Sequence, residues 1–307
     1  MTTPPGAFLV YHPIPTIEST WETRALQARG STHTHTTESD GVLTPTEIEA
    51  TYAALGHDWI AITDHGARTA DPAGLPNLGG EELATGVAWP ANPHIVGLGL
   101  AATIEDVDSA QTNINAVLAA GGIAVLAHPL DDSYHQALTG YTHMEIDWNA
   151  GYQGEPVKLW DRKLTEGERP FAVIGDDAHY AYDDGDASLT VDSRGSTVCN
   201  VDTVTSASVL AAIRSGNCYV TSGTFNGTGV TAGITSISVA DGTITIAVPQ
   251  QSNVYWYGSN GGSLGSALGV TSDTYRPRGN EIYVRIKVVP TADTTRFALS
   301  QPIWITP

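Results

Sequence analysis

Two histidines and an aspartate lie close together in the stretch STHTHTTESDG, which spans residues 31–41. His33 and His35 are one residue apart, and Asp40 follows shortly after them. On a β-strand the side chains of residues i and i+2 project to the same face, so both imidazoles can point at one place. A lone His-x-His pair is a weak signal, because a polar surface tract would contain it as readily. Further residues of these types are needed before the pair predicts a metal site.

Histidine and aspartate recur directly after three short apolar runs of the chain. These runs end in Asp64-His65, in His128-Pro129 and in Asp176-Asp177-Ala178-His179. In an α/β barrel, the residues that follow the C-terminal ends of the strands share one rim. Imidazole and carboxylate groups without thiolates suit divalent ions such as Zn, Mn and Fe. Without an ion the clustered groups would compete for protons, so the pattern predicts a metal site at the rim.

Helices that alternate with strands would position this rim. The segment Thr44-Pro45-Thr46-Glu47 predicts a capping box with proline at the first helical position, and Gly56 follows the end of that helix. Further helices are predicted over residues 106–120, 158–165 and 206–214, and strands over residues 59–63, 123–127, 171–175 and 218–221. This alternation is typical of the βα units of an α/β barrel.

The pattern changes after Gly223, where helical periodicity disappears. Short strands separated by turn residues are predicted over residues 234–239, 243–248, 254–257, 282–289 and 296–305. Such a series is typical of a small β-sandwich. The predicted divisions of the chain are an N-terminal extension (1–28), a barrel (29–223) and a β-sandwich (224–307).

The charge of the chain restricts its partners. It has 14 Lys and Arg residues against 33 Asp and Glu residues, which gives a net charge of −19. A surface this acidic repels phosphate backbones and anionic lipids, so we expect neither non-specific nucleic-acid binding nor membrane binding. The N-terminal residues lack the pattern of a signal peptide, and no segment approaches the roughly 20 apolar residues of a membrane span. We expect a cytoplasmic protein, or one associated with a phage virion.

Several residues of reactive types are expected to pack rather than to react. Cys199 and Cys218 are too few for a disulfide-stabilised secreted fold, so buried thiols are expected. No apolar strand precedes three of the histidines, which we interpret as surface or packing residues: His12, His57 and His143. His135, which stands close after the His128-Pro129 turn, could line the pocket beside the rim.

The rim motifs resemble those of the PHP (polymerase and histidinol phosphatase) family of metal-dependent phosphoesterases. Four segments within residues 29–223 carry the resemblance in order: His33-x-His35-Thr36 with Ser39-Asp40-Gly41, Thr63-Asp64-His65, Ala127-His128-Pro129 and Asp176-Asp177-Ala178-His179. The chain departs from the family at Ser31-Thr32, where an Asp-Leu or similar pair commonly stands. The resemblance implies a distorted seven-stranded TIM-like barrel with two or three metal ions. A second similarity, to a bacterial subgroup, implies a small β domain after the barrel.

The resemblance also implies which residues hold the ions. Glu82 is implied as a bridging carboxylate, with its neighbour Glu81 as the rival, and His94 is implied as a further ligand. The three implied ligand sets are His33, His35, Glu82 and Asp177 for one ion, Glu82, His94 and His128 for a second, and Asp40, His65 and His179 for a third. Asp64 is implied to orient its neighbour or another histidine, and Glu145 and Asn149 resemble pocket residues of the family. Arg68 and Arg194 could clamp a phosphate or could equally be solvated loop charges.

The predicted function is hydrolysis of a phosphomonoester or phosphodiester by a hydroxide that Mn, Fe or Zn ions activate, which is an activity of EC class 3.1. The candidate catalytic residues are His65, Asp64, His179, Arg68 and Arg194. A small phosphoester fits the acidic surface, and an oligomer is compatible with the sequence. A carboxylic or carbamate ester is an alternative substrate. The alternative of another class is a non-catalytic module, for example of a phage tail, whose β domain binds a glycan or a partner chain.

Overall fold

The protein is a mixed α/β structure, seen here in a computed structural model that describes residues 15–84, 91–105, 109–146, 154–180, 195–222 and 232–306. The helices in these ranges are α1 (Pro45–Ala54), α2 (Ala110–Ala119), α3 (Ser133–Gln136), α4 (Glu155–Thr165) and α5 (Ser206–Ser215). The first strands are β1 (Thr16–Glu18), β2 (Leu26–Ser31), β3 (Trp59–Ile60), β4 (Gly80–Leu83), β5 (Ile95–Leu98), β6 (Ile123–Leu126), β7 (His143–Glu145) and β8 (Phe171–Val173). The remaining strands are β9 (Gly195–Val201), β10 (Cys218–Ser222), β11 (Ser236–Ala240), β12 (Thr243–Tyr257), β13 (Ser263–Tyr275), β14 (Tyr283–Pro290), β15 (Ala298–Ser300) and β16 (Ile303–Thr306).

The strands form two sheets that meet at the rim. A five-stranded sheet has the order β4-β5-β6-β7-β8, and an eleven-stranded sheet contains β2, β3, β9, β10 and the C-terminal strands. Single parallel bridges connect the two sheets: Thr34 pairs with Ala178, and His65 pairs with Glu82. Within the described ranges, the ladders do not join into a closed barrel. The predicted α/β class is therefore confirmed, and the seven-stranded barrel stays a prediction.

The C-terminal strands do not form a sheet of their own. Strand β15 pairs with β10, so hydrogen bonds cross the predicted division at residues 223 and 224. The core is shared as well, because Tyr283 and Trp304 pack in the same apolar cluster as Trp160 of α4. The predicted β-sandwich is accordingly not confirmed, and the boundaries of the three predicted segments stay predictions.

Local sequence signals explain several elements. Thr44 caps α1, and the Thr44 and Glu47 side chains form the predicted capping box. Gly30 of β2 lies against the Trp59 ring, and a Cβ at this position would lie 2.2 Å from a ring carbon, so glycine permits β2 and β3 to pair closely. The two strands predicted over residues 243–248 and 254–257 are the single strand β12, which pairs with the unpredicted β13.

The expectation of two free thiols is wrong. Cys199 of β9 and Cys218 of β10 form a disulfide. The two residues lie directly opposite each other in an antiparallel pair, with Cα atoms 4.1 Å apart. Because disulfides persist mainly in oxidising compartments, this bond does not support the expected cytoplasmic location, which stays a prediction. No described helix is both long and apolar enough to cross a membrane.

Candidate metal centre

Glu82 lies at the centre of the polar side chains on the rim. It belongs to β4, and its side chain is only 1% exposed. The neighbouring Glu81 is also buried, but it accepts a hydrogen bond from the Ile104 amide at 2.7 Å. Successive side chains of a strand point to opposite faces. The structure therefore places Glu82, and not its rival, among the histidines.

One oxygen of Glu82 forms a first group with three other residues. His33 Nε2 lies 3.1 Å and His35 Nε2 lies 3.0 Å from Glu82 Oε2. The same two nitrogens lie 3.3 Å and 3.2 Å from Asp177 Oδ1, and 3.1 Å from each other. Two imidazole nitrogens and two carboxylate oxygens thus point at one small buried volume, which is the arrangement that a cation favours.

The other oxygen of Glu82 forms a second group. His94 Nδ1 lies 2.9 Å and His128 Nε2 lies 3.2 Å from Glu82 Oε1. Since the two oxygens of one carboxylate face different histidine pairs, Glu82 is placed to bridge two ions. The composition of both groups equals that of the first two ligand sets implied by the family resemblance.

A third group lies on the open side of the rim. Asp40 Oδ1 lies 3.3 Å from His35 Nδ1 and 3.4 Å from His179 Nε2, and Asp40 Oδ2 lies 3.8 Å from His65 Nε2. Asp40, His65 and His35 are close enough together to hold one ion. The third predicted set, with His179 in place of His35, is therefore brought together only in part.

The backbone is strained at two of these residues. His128 has φ of +28° and Asp177 has φ of +51°. Non-glycine residues rarely adopt such values, and strain of this kind is retained where the surrounding structure requires it, often at functional sites. These backbone conformations direct the His128 ring and the Asp177 carboxylate towards the groups around Glu82.

The charges of the centre depend on one another. Burial lowers the pKa of His35, but hydrogen bonds to Asp177 and Glu82 outweigh burial and raise it to about 9. The pKa of His33 is raised well above its usual value because Glu82, Asp177 and Glu145 also outweigh burial. Burial raises the pKa of Glu82, yet the adjacent histidines hold it well below its usual range. Without a bound ion, protonated His33 and His35 would therefore supply the positive charge beside the carboxylates.

Glu145 orients two of the histidines. Its Oε1 lies 2.9 Å from His33 Nδ1, and its Oε2 accepts a hydrogen bond from the His128 amide at 2.7 Å. A carboxylate on the distal nitrogen of a ligating histidine fixes the ring and its tautomer. Glu145, which the sequence suggested only as a pocket residue, is well placed for that role.

Asp64 contacts a loop rather than a histidine. The carboxylate accepts hydrogen bonds from the Thr36 amide and hydroxyl, from the Ser39 hydroxyl and from the Thr69 hydroxyl. These three partners were missed by the sequence analysis. The Thr/Ser-rich character of residues 31–41 was a signal that could have indicated Thr36 and Ser39, but not Thr69.

Arg68, one of the two arginines that could clamp a phosphate, is engaged by neighbouring groups of the protein. Arg68 donates to the Leu100 carbonyl at 3.0 Å and forms an ion pair with Asp71 at 2.8 Å. Arg194 and Asn149 lie outside the described residues, as does His12. A role of either arginine in substrate binding stays a prediction.

The other histidines of the described ranges pack inside the protein. His143 lies 2.9 Å from the Ile213 carbonyl oxygen, and burial lowers its pKa to about 4. The His57 ring packs edge-on against Tyr52. His135 Nδ1 lies 2.8 Å from Asp132 Oδ1 at the start of α3, and the ring is fully buried. His135 is thus covered by protein, whereas the sequence suggested a pocket-lining residue.

Comparisons with known proteins found a curated relative and several similar solved structures. No family model matches the chain. A 3',5'-nucleoside bisphosphate phosphatase of Chromobacterium violaceum is 40% identical over 77 residues, which are 22% of this chain and 26% of the relative. The chain therefore matches about a quarter of the length of this curated relative.

Two solved structures are also similar. A two-domain protein from Bacteroides vulgatus with a predicted PHP-like metal-dependent phosphoesterase is 14% identical, with a TM-score of 0.49 over 94% of this chain and 89% of that one. An amidohydrolase from Chromobacterium violaceum, solved with sulfate and no metal, is 19% identical, with a TM-score of 0.41 over 50% of this chain and 89% of that one. Over the 77 matched residues, the curated relative supports the predicted resemblance of this chain to phosphoesterases.

Proposed function

We propose that this protein is a metal-dependent phosphoesterase whose ions are held around Glu82. The observation that supports this most is the position of one buried carboxylate between two pairs of histidines, with His65 Nε2 also 3.4 Å from Oε2. The chain supplies no Lys or Arg to this carboxylate within the described ranges; its neighbours there are histidines and Asp177. Burying such a set is costly unless a cation compensates it.

The nine residues proposed as ligands are His33, His35, Asp40, His65, Glu82, His94, His128, Asp177 and His179. When bound, divalent ions such as Mn, Fe or Zn lower the pKa of a coordinated water and neutralise charge on a phosphoryl group. On the buried side of the centre, Glu145 fixes the ring of His33, which is one of the proposed ligands. On the open face, His65 or His179 would exchange a proton with a leaving group only through a ring nitrogen that holds no ion.

The proposed fold of the centre is the distorted seven-stranded barrel of strands β2 to β8. The two single bridges support it, because Thr34 with Ala178 joins the extension of β2 to that of β8, and His65 with Glu82 joins the extension of β3 to β4. A ring of this kind would bring the C-terminal ends of the parallel strands to one rim, together with the N-terminal end of the antiparallel β5, which His94 precedes.

The proposed substrate is a small phosphoester. The curated relative acts, by its name, on nucleoside bisphosphates, which favours a phosphomonoester group as the one cleaved. The net charge of −19 disfavours a long polyanion. The non-catalytic alternative, with a glycan or partner chain bound by the C-terminal strands, gains no support from the described residues.

The test is a comparison of Glu82→Gln with Glu81→Gln on a panel of phosphomonoesters and phosphodiesters. Both residues are buried carboxylates of β4, so they control for the loss of a buried charge. We expect Glu82→Gln to lose bound metal and phosphate release, and Glu81→Gln to keep both in whatever fraction folds. Equal activity of wild type and a folded Glu82→Gln protein would contradict the proposal.

A further inference from the structure

Asp64 is a buried carboxylate with four hydrogen-bond donors around it. Its Oδ1 accepts from the Thr36 amide at 2.6 Å and from the Ser39 hydroxyl at 2.7 Å. Its Oδ2 accepts from the Thr36 hydroxyl at 2.7 Å and from the Thr69 hydroxyl at 2.5 Å. Hydrogen bonds to an ionised acceptor are stronger than those between neutral groups. The carboxylate therefore fixes the segment that begins at Thr36.

The segment fixed by Asp64 carries Asp40. We call residues 36–42 the Asp40 loop. Its turn is closed by hydrogen bonds from the Ser39 and Gly41 amides to the Thr36 carbonyl, at 3.0 Å and 2.9 Å. Its far end is held by the Val42 amide, which donates to the His179 carbonyl at 2.9 Å. A Cβ at Gly41 would lie 2.6 Å from the His35 backbone, so the loop packs directly against the backbone of His35.

The third group differs from the other two in exposure. The Asp40 side chain is 55% exposed and that of His65 is 32% exposed, whereas Glu82 is 1% exposed. The Asp40 carboxylate is attached to a loop, whereas Glu82 belongs to strand β4 and His33 lies in buried backbone shortly after β2. The position of Asp40 relative to the histidines thus depends on what holds the loop, and Asp64 donates no ligand atom itself.

We infer that Asp64 is a positioning residue that determines whether a divalent cation occupies the open group of Asp40, His65 and their histidine neighbours, and that it acts on this group more than on the two Glu82 groups. The inference rests on the proposed metal binding. The open group shares His35 with the first Glu82 group, and His65 Nε2 lies 3.4 Å from Glu82 Oε2. The inference separates the centre into two positions that buried backbone preorganises and one exchangeable position that depends on the Asp40 loop. Removal of Asp64 should weaken the exchangeable position most.

Titration of metal-free protein with Mn²⁺ tests this inference, with calorimetry to count the ions and measure each affinity. For Asp64→Ala and Asp64→Asn we expect two ions bound as in wild type and a third bound at least about tenfold more weakly, the size typical of lost outer partners of metal ligands. Two milder variants, Ser39→Ala and Thr69→Val, each remove one hydrogen bond to Asp64 and cover the case in which Asp64→Ala does not fold. These two variants should weaken the binding of the third ion by a smaller factor.

Asp176→Asn is the matched control. Asp176 is a buried carboxylate one residue before Asp177, as Asp64 is one residue before His65, but it accepts from the Tyr52 hydroxyl at 2.9 Å. The Asp176→Asn variant should leave the affinity for the third ion unchanged relative to the affinities for the first two. A third ion bound equally well without Asp64, an equal loss of all ions, or a wild type that saturates with two ions would overturn the inference. Absence of hydrolysis in a wild type that binds three ions would contradict only the proposed function.

Discussion

Two buried charged clusters in this protein are built in opposite ways. In the C-terminal strands, Arg285 of β14 forms two hydrogen bonds to Asp161 of α4, at 2.7 Å and 2.6 Å, and the Tyr283 hydroxyl donates to Asp161 at 2.8 Å. On the rim, the charged groups beside Glu82 in the described part of the chain are histidines and Asp177. The first cluster contains its own permanent cation, whereas the second contains ligand atoms without one. A buried carboxylate paired with a guanidinium is compensated within the fold, and one surrounded by imidazoles is available for chemistry.

The largest expected effect is the loss of activity on removal of a rim ligand. Asp177→Ala and His128→Ala should each reduce phosphate release by at least about a thousandfold, because a bound ion supplies several kcal/mol of transition-state stabilisation. Rim residues contribute little to the core, so the fold should be retained. Steady-state kinetics and elemental analysis of circular-dichroism-verified protein measure both effects. Full activity in either variant would remove the distinction between the two clusters.

The Asp161 cluster should show the reverse behaviour. Asp161→Ala leaves the Arg285 guanidinium buried without its partner and should cost about 3–5 kcal/mol of the free energy of unfolding. Metal content and turnover of the folded fraction should remain those of wild type. Chemical denaturation gives the stability, and the double variant Asp161→Leu with Arg285→Met, which removes both charges, is expected to lose less than Asp161→Ala alone. A loss of metal in Asp161→Ala would show that the clusters are coupled.

A smaller effect is expected at Glu145, which contacts the rim histidines without joining a ligand group. Glu145→Gln should weaken metal binding by about 10–100-fold while leaving the number of ions unchanged. The amide can still bond His33 Nδ1 but no longer supplies negative charge. Competition with a chelator of known affinity measures the change. An unchanged affinity would show that strand geometry alone orients His33.

The sequence predicted the histidines more completely than the strands. His65, His128 and His179 were identifiable because each follows a short apolar run, and the capping box of α1 is a local signal. Strand β13 was missed because its sequence, SLGSALGVTSDTY, is rich in Gly and Ser and has no strong alternation. The disulfide was missed because it depends on the register of β9, which was itself not predicted.

Other features of the site depend on tertiary contacts that no local pattern encodes. The choice of Glu82 over Glu81 required the family resemblance, since both stand in one strand. The role of Asp64 depends on Thr69 and on the Asp40 loop, which meet only in the folded chain. The sharing of one core by helix α4 and the C-terminal strands could not be read from a sequence whose composition changes at Gly223.

The smallest predicted effect concerns the stability of the metal-free protein. Burial lowers the pKa of His35, but Asp177 and Glu82 raise it from 6.5 to about 9 in the folded state. A raised folded-state pKa contributes stability that is fully present below pH 6.5 and is lost as the pH rises through about 9. Thermal unfolding after chelation should therefore show a midpoint that falls across this range, and the metal-loaded protein should not show this decline. A metal-free midpoint that rises across the same range would contradict the assignment.

The most direct test of the central claim, that the Glu82 groups hold catalytic ions, uses the unmodified protein. Elemental analysis of the as-isolated protein should give two or three ions of Mn, Fe or Zn per chain. Release of phosphate from a nucleoside 3',5'-bisphosphate and from simple phosphomonoesters should stop after chelation and return when the same metal is restored. A folded, fully metal-loaded protein that releases no phosphate from any member of a monoester and diester panel, or one whose rate is unchanged by complete metal removal, would contradict the claim.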